Sequence, residues 1–546
     1  MSSSSRRQFL VRSSGVLAGA AAATAAGRPL VAAASSAPSG RLDLPVQDGS
    51  DTLTISKVVR PGDVRYPAMI RGANQRFAGS PQRIVIPATA SGVADAVESA
   101  LADKELIGVR SGGHCYENFV ANPDVRVLID MSAMNAVHID AEHKALSVGA
   151  GASLLNVYQT LYKEFGRVVP AGSCPSVGVG GFVANGGYGP LSRKLGLTVD
   201  HLYGVEMVVV DASGRARTVL VKRQDKGLEA DLWWSQTGGG GGSFGIATRY
   251  LFRSPDSSAE PLPRPPAEVL IRTVAWPWAN LDEARFSRLV RNFGRWHEEN
   301  SAPGAPGCEL FAQLKLLTPS AGVVALSVQV NSTAKDPQTL LDGFVQAVSE
   351  GVGAPSGAPV MRRPWLHALQ WDGFSPANPT VMRFKIKSAH MRTGFPATQV
   401  AALYRNLTAK DNTNETNIVL VSSYGGQINA VAPTATATAA RDSIMELQYI
   451  ALWEDEANDE SNISWVRKTY ADVYAETGGV PVRNDVTGGC YIGYPDADLG
   501  NRDWNTSSSS WSDLYFGGNY ARLQKTKAAW DPTNTFFHAQ SIRLPG

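Results

Sequence analysis

Residues 110–117 read RSGGHCYE: a histidine and a cysteine side by side behind two glycines. Metal ligation, nucleophilic catalysis and some third role that needs both side chains are the chemistries to weigh. A zinc site needs ligand pairs at short spacing, such as C-x₂-C or H-x₃-H. His114 and Cys115 are adjacent and cannot easily share one ion, while Cys174 and His201 stand alone. A Cys-His nucleophile pair needs its side chains to face each other, and neighbours on a strand point to opposite faces. Taken alone, the segment reads as a strand end carrying a buried thiol. A second cysteine changes that reading. Cys174 sits in its own glycine-rich loop, PAGSCPSVGVGGF.

A third glycine cluster, GGGSFG (240–245), matches G-x-G-x-x-G in one register. The dinucleotide fingerprint requires a strand before it and a helix after it. Here a helix-like EADLWW precedes and a strand-like IATRYLF follows, so binding of NAD in that manner is rejected. The five consecutive glycines 238–242 still expose backbone N–H groups able to cradle phosphate.

The elements that must position these loops come in two halves. In the first, IVIP (84–87) reads as a buried strand, and 88–106 as a helix with Val93, Ala96, Val97 and Leu101 in helical spacing. IGVR, VRVLID and ALSVGAG read as strands. Residues 153–165 form a helix stopped by Gly166, with Leu154, Tyr158, Leu161 and Phe165 on one stripe. A long glycine-rich loop follows. VEMVVVDASGRARTV is a hairpin turning at 211–214, EADLWWSQ a short helix and IATRYLFR a strand. The Pro/Ser-rich stretch 254–266 is a boundary. Beyond it, strands (ELFAQLKLL, VVALSVQV, NIVLVSSYGG) mix with helices (LDEARFSRLVRNFGRWHEE, ISWVRKTYADVYAET), and the tail has a helix through Tyr520, Leu523, Lys527 and Trp530, then a strand-like QSIRL. The fold class is α+β.

The chain of 546 residues is long enough for roughly two to four domains and a large core. Its net charge of +2, with no long basic run, gives no reason to expect nucleic acid or an anionic membrane as partner. At the N-terminus, SRRQFL resembles a twin-arginine export signal, followed by an Ala/Gly stretch and small residues over 32–37 where a peptidase could cut. The stretch is alanine-rich and broken by Arg28, which argues against an anchor. The expectation is export by the twin-arginine machinery and no membrane association after processing. That machinery moves folded proteins, a first hint of a bound cofactor. Export permits disulfides, and the cysteines (Cys115, Cys174, Cys308 and Cys490) allow three pairings, Cys308–Cys490 among the bonds they contain.

RSGGH together with AGSCPSVGVGG resembles the FAD-linked oxidases of the berberine bridge enzyme type. So do RIVIPATASGVADAVESA, NGGYGPLSRKLGLTVDHL, DLWWSQTGGGGGSFGIAT, RFKIKS (383–388) and YFGGNYARLQKTKAAWDPTNTFFHAQSI. The resemblance covers nearly the whole chain after the signal. It implies a two-domain FAD-linked oxidase fold of the vanillyl-alcohol oxidase/PCMH type. The expected segments are a signal over 1–40, an FAD-binding domain over 41–255 and a substrate domain over 256–500, built on an antiparallel sheet flanked by helices. A C-terminal segment over 501–546 returns to the first domain. It further implies FAD bound twice, 8α-N-histidyl at His114 and 6-S-cysteinyl at Cys174, so the histidine's partner is Cys174 rather than Cys115. The implied cofactor contacts are Arg110, Ser111, Gly112, Gly113 and Cys115 in the first loop, and Gly172, Val177, Gly178, Gly180 and Gly181 around the cysteine. Gly186, Gly187 and Gly189 follow, then Gly240, Gly241, Gly245 and Ile246, and finally Tyr515 and Asn519. Cys115 departs from the family, where serine is more common.

The activity implied is alcohol oxidation, with O₂ reoxidising the flavin to give H₂O₂. The base implied is a tyrosine shortly before the C-terminal signature. CYIGYPDADLG offers Tyr491 and Tyr494, and the aligned position selects Tyr494. A tyrosine titrates near about 10 and needs help; the family's second acidic or phenolic group falls on Tyr424, in VSSYGGQINAV. Berberine bridge enzymes proper use a glutamate as base, absent at Tyr494. Tyr188 is a further candidate to line the site, and Trp276, Trp278, Trp365, Trp371 and Phe374 could stack on a substrate. Resemblance to the family's antibiotic-tailoring sugar oxidases implies a small-molecule alcohol substrate, the sugar of a glycosylated polyketide, oxidised to a ketone and then, by extension, desaturated. A lactone-forming oligosaccharide oxidase, an allylic alcohol oxidase and a dehydrogenase passing electrons to a partner are the alternatives.

Overall fold

RIVI, IGVR and VLID are short apolar runs, and they form three of the four strands of a small sheet. The structure, a computed structural model, describes residues 56–255, 262–375 and 382–546, so the expected export signal lies outside the described residues. β1 (Lys57–Val59), β2 (Arg83–Ile86), β3 (Ile107–Arg110) and β4 (Val127–Asp130) lie in the order β1-β2-β4-β3, with β4 parallel to both β2 and β3. Helix Ala90–Ala102 packs between β4 and the hairpin 202–222 of the next sheet, capped by Thr89, whose Oγ1 accepts from Gly92 N–H at 3.1 Å. Its buried stripe includes the expected Val93, Ala96 and Val97.

The second sheet comprises β5 (Val137–Asp140), β6 (Ala145–Gly149), β7 (Leu202–Val210), β8 (Ala216–Lys222) and β9 (Ile246–Phe252), antiparallel in the order β5-β6-β9-β7-β8. The β7–β8 hairpin turns where DASG predicts, with Gly214 N–H donating to the Asp211 carbonyl at 2.9 Å. Helix Leu154–Phe165 ends at Gly166, in the left-handed region at φ 61°. The glycine-rich loop after it contains two short helices, Val179–Ala184 and Ser192–Leu195, that its composition concealed.

The third sheet is larger: β10 (Glu268–Pro277), β11 (Leu310–Leu317), β12 (Val323–Asn331), β13 (Ser356–Gly357), β14 (Met361–Pro364), β15 (Arg383–Met391), β16 (Ile418–Ser423) and β17 (Met445–Trp453). Its order is β13-β10-β12-β11-β16-β17-β15, with β14 also on β10. Helices Glu283–Asn300, Pro337–Ser349, Ala397–Leu407 and Asp459–Val473 flank it, the last lying against β15 and β17. The period of two divides β17 cleanly. Tyr449 meets Tyr470 of the helix Asp459–Val473 at 5.1 Å, whereas Gln448, Ile450 and Leu452 face a cavity toward the glycine loops.

One expectation fails, and one pairing that the sequence leaves open is not made. QSIRL forms no strand; instead Ile542 N–H donates to Ser243 Oγ at 3.1 Å, tying the tail to the third glycine loop. Cys308 and Cys490 are not joined, and all four cysteines are free. The Cys308 thiol donates to the Ala302 carbonyl at 3.3 Å, and the Cys490 sulfur sits 3.4 Å from the Tyr470 hydroxyl.

Candidate active site

One cavity of about 570 Å³ lies between the glycine loops and the third sheet. Its size is that of a ligand or cofactor site. The loop side is held open by interlocked backbone. Gly112 and Gly178 approach so closely that a Cβ on either would run into the backbone nitrogen of the other. Ser111 braces this contact: its hydroxyl donates to the Ala150 carbonyl at 2.6 Å and accepts from Gly180 N–H at 3.2 Å. Arg110, paired with Asp130, ties the end of β3 to β4. Gly181 has nothing within 4 Å of a built Cβ, and Gly241 only the Ala184 methyl at 4.0 Å. Bare backbone therefore faces the cavity where a flat, phosphate-bearing group would lie.

His114 and Cys174 converge on one hydroxyl. His114 Nε2 is 2.8 Å from Ser176 Oγ, and Cys174 Sγ is 3.7 Å from the same oxygen. Burial holds the His114 imidazole below its ordinary value, so it stays neutral. Ser176 was not singled out from the sequence; a serine two residues after a cysteine carries no signal of its own. Cys115 lines the cavity nearby, its thiol pushed up to about 11 by burial.

Of the other expected cofactor contacts, Arg110, Ser111, Gly112, Gly113, Gly172, Val177, Gly178, Gly180, Gly181, Gly189, Gly240, Gly241, Gly245 and Ile246 line the cavity. Gly186, Gly187, Tyr515 and Asn519 do not. These four act one layer back. Gly187 N–H donates to the Tyr491 hydroxyl at 3.3 Å, and Tyr515 accepts from Asp496 N–H at 3.0 Å. Asn519 donates to the carbonyls of Pro433, Thr436 and Ala437. A Cβ on Gly186 would meet the Thr438 hydroxyl.

The opposite wall carries the polar side chains. Tyr494 lines the cavity, its ring stacked on Tyr116 at 5.4 Å and edge-on to Tyr491 at 4.9 Å. Its hydroxyl lies 3.2 Å from that of Tyr188, which in turn donates to Glu446 Oε2 at 2.6 Å. Tyr424 does not line the cavity: its hydroxyl donates to the Ala440 carbonyl at 3.2 Å and its ring stands edge-on behind Tyr188 at 5.7 Å. The group beside Tyr494 is thus Tyr188. Burial drives the phenols of Tyr188 and Tyr494 well above 10, and pushes the Glu446 carboxyl up to about 8. Gln313 and Gln448 also line the cavity, with Phe311 and Phe374 edge-on at 4.9 Å. Trp371 stands edge-on behind Phe374 at 5.0 Å, while Trp276, Trp278 and Trp365 lie away from the cavity.

Tyr494 is held by charge. Lys385 Nζ binds Glu117 Oε1 at 2.6 Å and Asp496 Oδ1 at 2.7 Å; Lys387 Nζ binds Asp496 Oδ2 at 2.6 Å and Asp498 Oδ2 at 2.9 Å. All five groups are buried. The network joins the loop after His114, strand β15 and the segment bearing Tyr494.

The arrangement suits a redox cofactor: bare backbone on one side, a nucleophilic His/Cys pair at one end, a phenol opposite. Comparison with known proteins agrees. A family model described as FAD binding domain matches residues 81–219, and one described as berberine and berberine like matches 490–543. The chain is 45% identical to aclacinomycin-N/aclacinomycin-A oxidase of Streptomyces galilaeus over 489 residues, covering 89% of each chain. It is 31% identical to hexose oxidase of Chondrus crispus, covering 88% of this chain and 93% of that one. A glycopeptide hexose oxidase, solved in complex with teicoplanin, superimposes with a TM-score of 0.85 at 43% identity, over 89% of this chain and 99% of that one. The chain belongs to the berberine bridge enzyme-like family and is an FAD-dependent oxidoreductase of the oxidase type.

Proposed function

We propose that this protein oxidises a secondary alcohol on the sugar of a glycosylated natural product to a ketone, with FAD bound through both His114 and Cys174 and O₂ as final acceptor, giving H₂O₂. The observation that carries the reading is the convergence of His114 and Cys174 on Ser176, across one cavity from Tyr494. A neutral imidazole that donates from Nε2 to Ser176 keeps its lone pair on Nδ1, the nitrogen left to bond carbon. Ser176 is then free to donate toward the Cys174 sulfur, so one hydroxyl orients both nucleophiles. Bound FAD supplies the two-electron acceptor.

The chain's own residues do the rest. Tyr494 accepts the proton of the substrate hydroxyl, a step worth about 10²–10⁴ in rate for a placed base. The amides of Gln313 and Gln448 hydrogen-bond the remaining hydroxyls of a sugar, and Phe311 and Phe374 cover its apolar face. The relatives whose names include aclacinomycin, hexose and teicoplanin support a sugar-bearing substrate. Export by the twin-arginine route belongs to the same reading and is checked by replacing Arg6 and Arg7 with Lys and locating the protein.

The test is the intact mass of the acid-denatured protein, alongside His114→Ala, Cys174→Ala and the double variant. FAD mass retained by the wild type and each single variant, and lost from the double, is the expected result. A wild type that sheds its flavin sinks the double attachment. H₂O₂ release is then screened over glycosylated polyketides and free sugars; turnover of simple sugars alone would favour a lactone-forming oxidase instead.

A further inference from the structure

We propose that Glu446 is the final acceptor of the substrate's hydroxyl proton, reached through Tyr494 and Tyr188. The inference rests on the reading of Tyr494 as the group that meets the substrate. A phenol has one proton to donate and lone pairs to accept with. Tyr188 spends its proton on Glu446 Oε2 at 2.6 Å. The 3.2 Å contact between the two phenols is therefore a bond from Tyr494 to Tyr188. That leaves the Tyr494 oxygen with its lone pairs toward the cavity and its own proton already pointed down the chain. Three groups are aligned so that one proton can enter at Tyr494 while another leaves at Tyr188.

The alternative is a lone tyrosinate, and its surroundings oppose that. Even at an ordinary value of about 10, only about one phenol in a thousand is ionised at pH 7. Burial drives Tyr494 further up, and the Glu446 charge adds to this. A concerted shift avoids the phenolate altogether. The substrate O–H bond breaks and its proton joins the Tyr494 oxygen. The Tyr494 proton joins the Tyr188 oxygen, and the Tyr188 proton joins the carboxylate. The C–H bond breaks with its electron pair accepted by FAD, and carbon and oxygen become a carbonyl. Charge ends on neither phenol.

Glu446 is suited to this end of the chain. It is fully buried on β17, where Oε2 accepts from Tyr188, while Oε1 makes no hydrogen bond of good geometry and has only the nearby Gln448 amide to ease its burial. A carboxylate so poorly supplied with donors is a strong proton acceptor. The groups that face it are Tyr188 and Gln448, His390 directly across on β15 and Ser422 directly across on β16. Tyr116, Tyr424, Tyr474, Tyr491 and Tyr494 also feel its charge. Burial and the Arg483 charge hold His390 down at about 3, so it stays neutral. Tyr188 and Gln448, the partners that oppose the burial of Glu446, carry no charge at neutral pH. The carboxyl is thus the group in this cluster that changes protonation near neutral pH.

Two measurements on the FAD-loaded enzyme test this. The first is kcat/KM against pH for wild type, Glu446→Gln and Glu446→Asp. Only the ionised carboxylate can accept, so the wild-type rate rises with pH through a midpoint near that of Glu446, about 8. Glu446→Gln is expected to lose this limb and about a hundredfold of rate at pH 9, with unchanged flavin content. Glu446→Asp keeps a limb at reduced rate. The second is infrared titration of the resting enzyme, where a buried carboxylic acid band disappears across the same midpoint and is missing from Glu446→Gln. A pH limb that survives in Glu446→Gln, or no titrating acid band, overturns the relay. Tyr494→Phe separates the relay from the reading beneath it: an inactive Tyr494→Phe beside an unaltered Glu446→Gln profile removes the relay alone, whereas an active Tyr494→Phe removes both.

Discussion

The loop wall of the cavity presents backbone, and the sheet wall presents side chains. On the loop wall, Gly112 and Gly178 interlock, and Gly181 and Gly241 have no protein atom closer than 4.0 Å to a built Cβ, so their backbone is open to the cavity. On the sheet wall, strands β11 and β17 offer Gln313 and Gln448, Glu446 stands behind Tyr188, and buried lysines of β15 clamp the segment that carries Tyr494. The difference follows from what each wall must recognise. A flavin and its phosphates are the same in every enzyme that uses them, and close backbone approach suits an invariant partner. A substrate varies, and a rigid lattice of exchangeable side chains suits that. The comparison predicts that damage to the two walls will look different.

The largest effect should come from the clamp. Asp496→Asn leaves Lys387 with Asp498 alone and Lys385 with Glu117 and a more distant Asp498. Breaking a buried ion network from one side costs about 3–5 kcal/mol. A denaturant titration should show that loss, with kcat falling as Tyr494 loosens. The Lys387→Met, Asp496→Asn double variant should recover part of the stability, because it removes a buried charge rather than stranding it. An Asp496→Asn enzyme as stable as wild type would mean the clamp is solvated and the sheet wall is less rigid than described.

The loop wall should break in two distinguishable ways. Gly178→Ala drives a Cβ into the Gly112 backbone, an overpacking that costs about 1–3 kcal/mol or more and should appear in the flavin-free protein. Gly181→Ala meets nothing within 4 Å in the protein. Its methyl projects only into the cavity, so it should leave the stability of the flavin-free protein unchanged and lower flavin content. If both variants behave alike, the distinction between interlocking and cofactor-facing glycines fails.

This contrast also explains what could be read without the fold. Where backbone does the work, residue type must be glycine, and the pattern is printed in the chain: RSGGH, PAGSCPSVGVGG and the run at 238–242. Tyr494 was reachable through its place before the C-terminal motif. Tyr188 lay inside a glycine motif and was noticed, yet nothing tied it to Tyr494. Glu446 was invisible. It lies in MELQYIALW, which shows neither a clean apolar run nor a polar face, because β17 is largely buried on both faces and its two polar residues break the apolar run. The usable signal was the alternation itself: Glu446 and Gln448 share one face while Leu447 and Tyr449 share the other. Tyr424 is where the resemblance places a second acidic or phenolic group, yet its hydroxyl is occupied by a carbonyl one layer back.

A smaller effect should follow from the polar residues at the sheet surface. Gln448→Leu keeps size and removes a donor and an acceptor from the cavity. One lost hydrogen bond to an uncharged hydroxyl is worth about 1 kcal/mol. Measured well above the Glu446 midpoint, where loss of the Gln448 amide beside Glu446 no longer sets the ionised fraction, KM should therefore rise about fivefold to tenfold, with kcat within about twofold, because Gln448 itself passes no proton. An equal fall in kcat would instead place it among the groups acting in the transition state.

The smallest effect separates the cysteines. Cys174 belongs to the loop wall and, in the proposed function, to the cofactor. Cys308 and Cys490 are buried thiols on the sheet side, each with its own polar contact, and burial pushes the Cys490 thiol up to about 12. A thiol so far from ionising is a poor partner in disulfide exchange. Adding a reductant should therefore leave the melting temperature of the flavin-loaded protein where it was. Cys308→Ala should cost no more than the packing of one small buried side chain, about 1 kcal/mol, and the loss should be the same with and without reductant. A melting temperature that falls on reduction would require a bond between these sulfurs, and with it a rearrangement of the segment that leads from Cys490 to Tyr494.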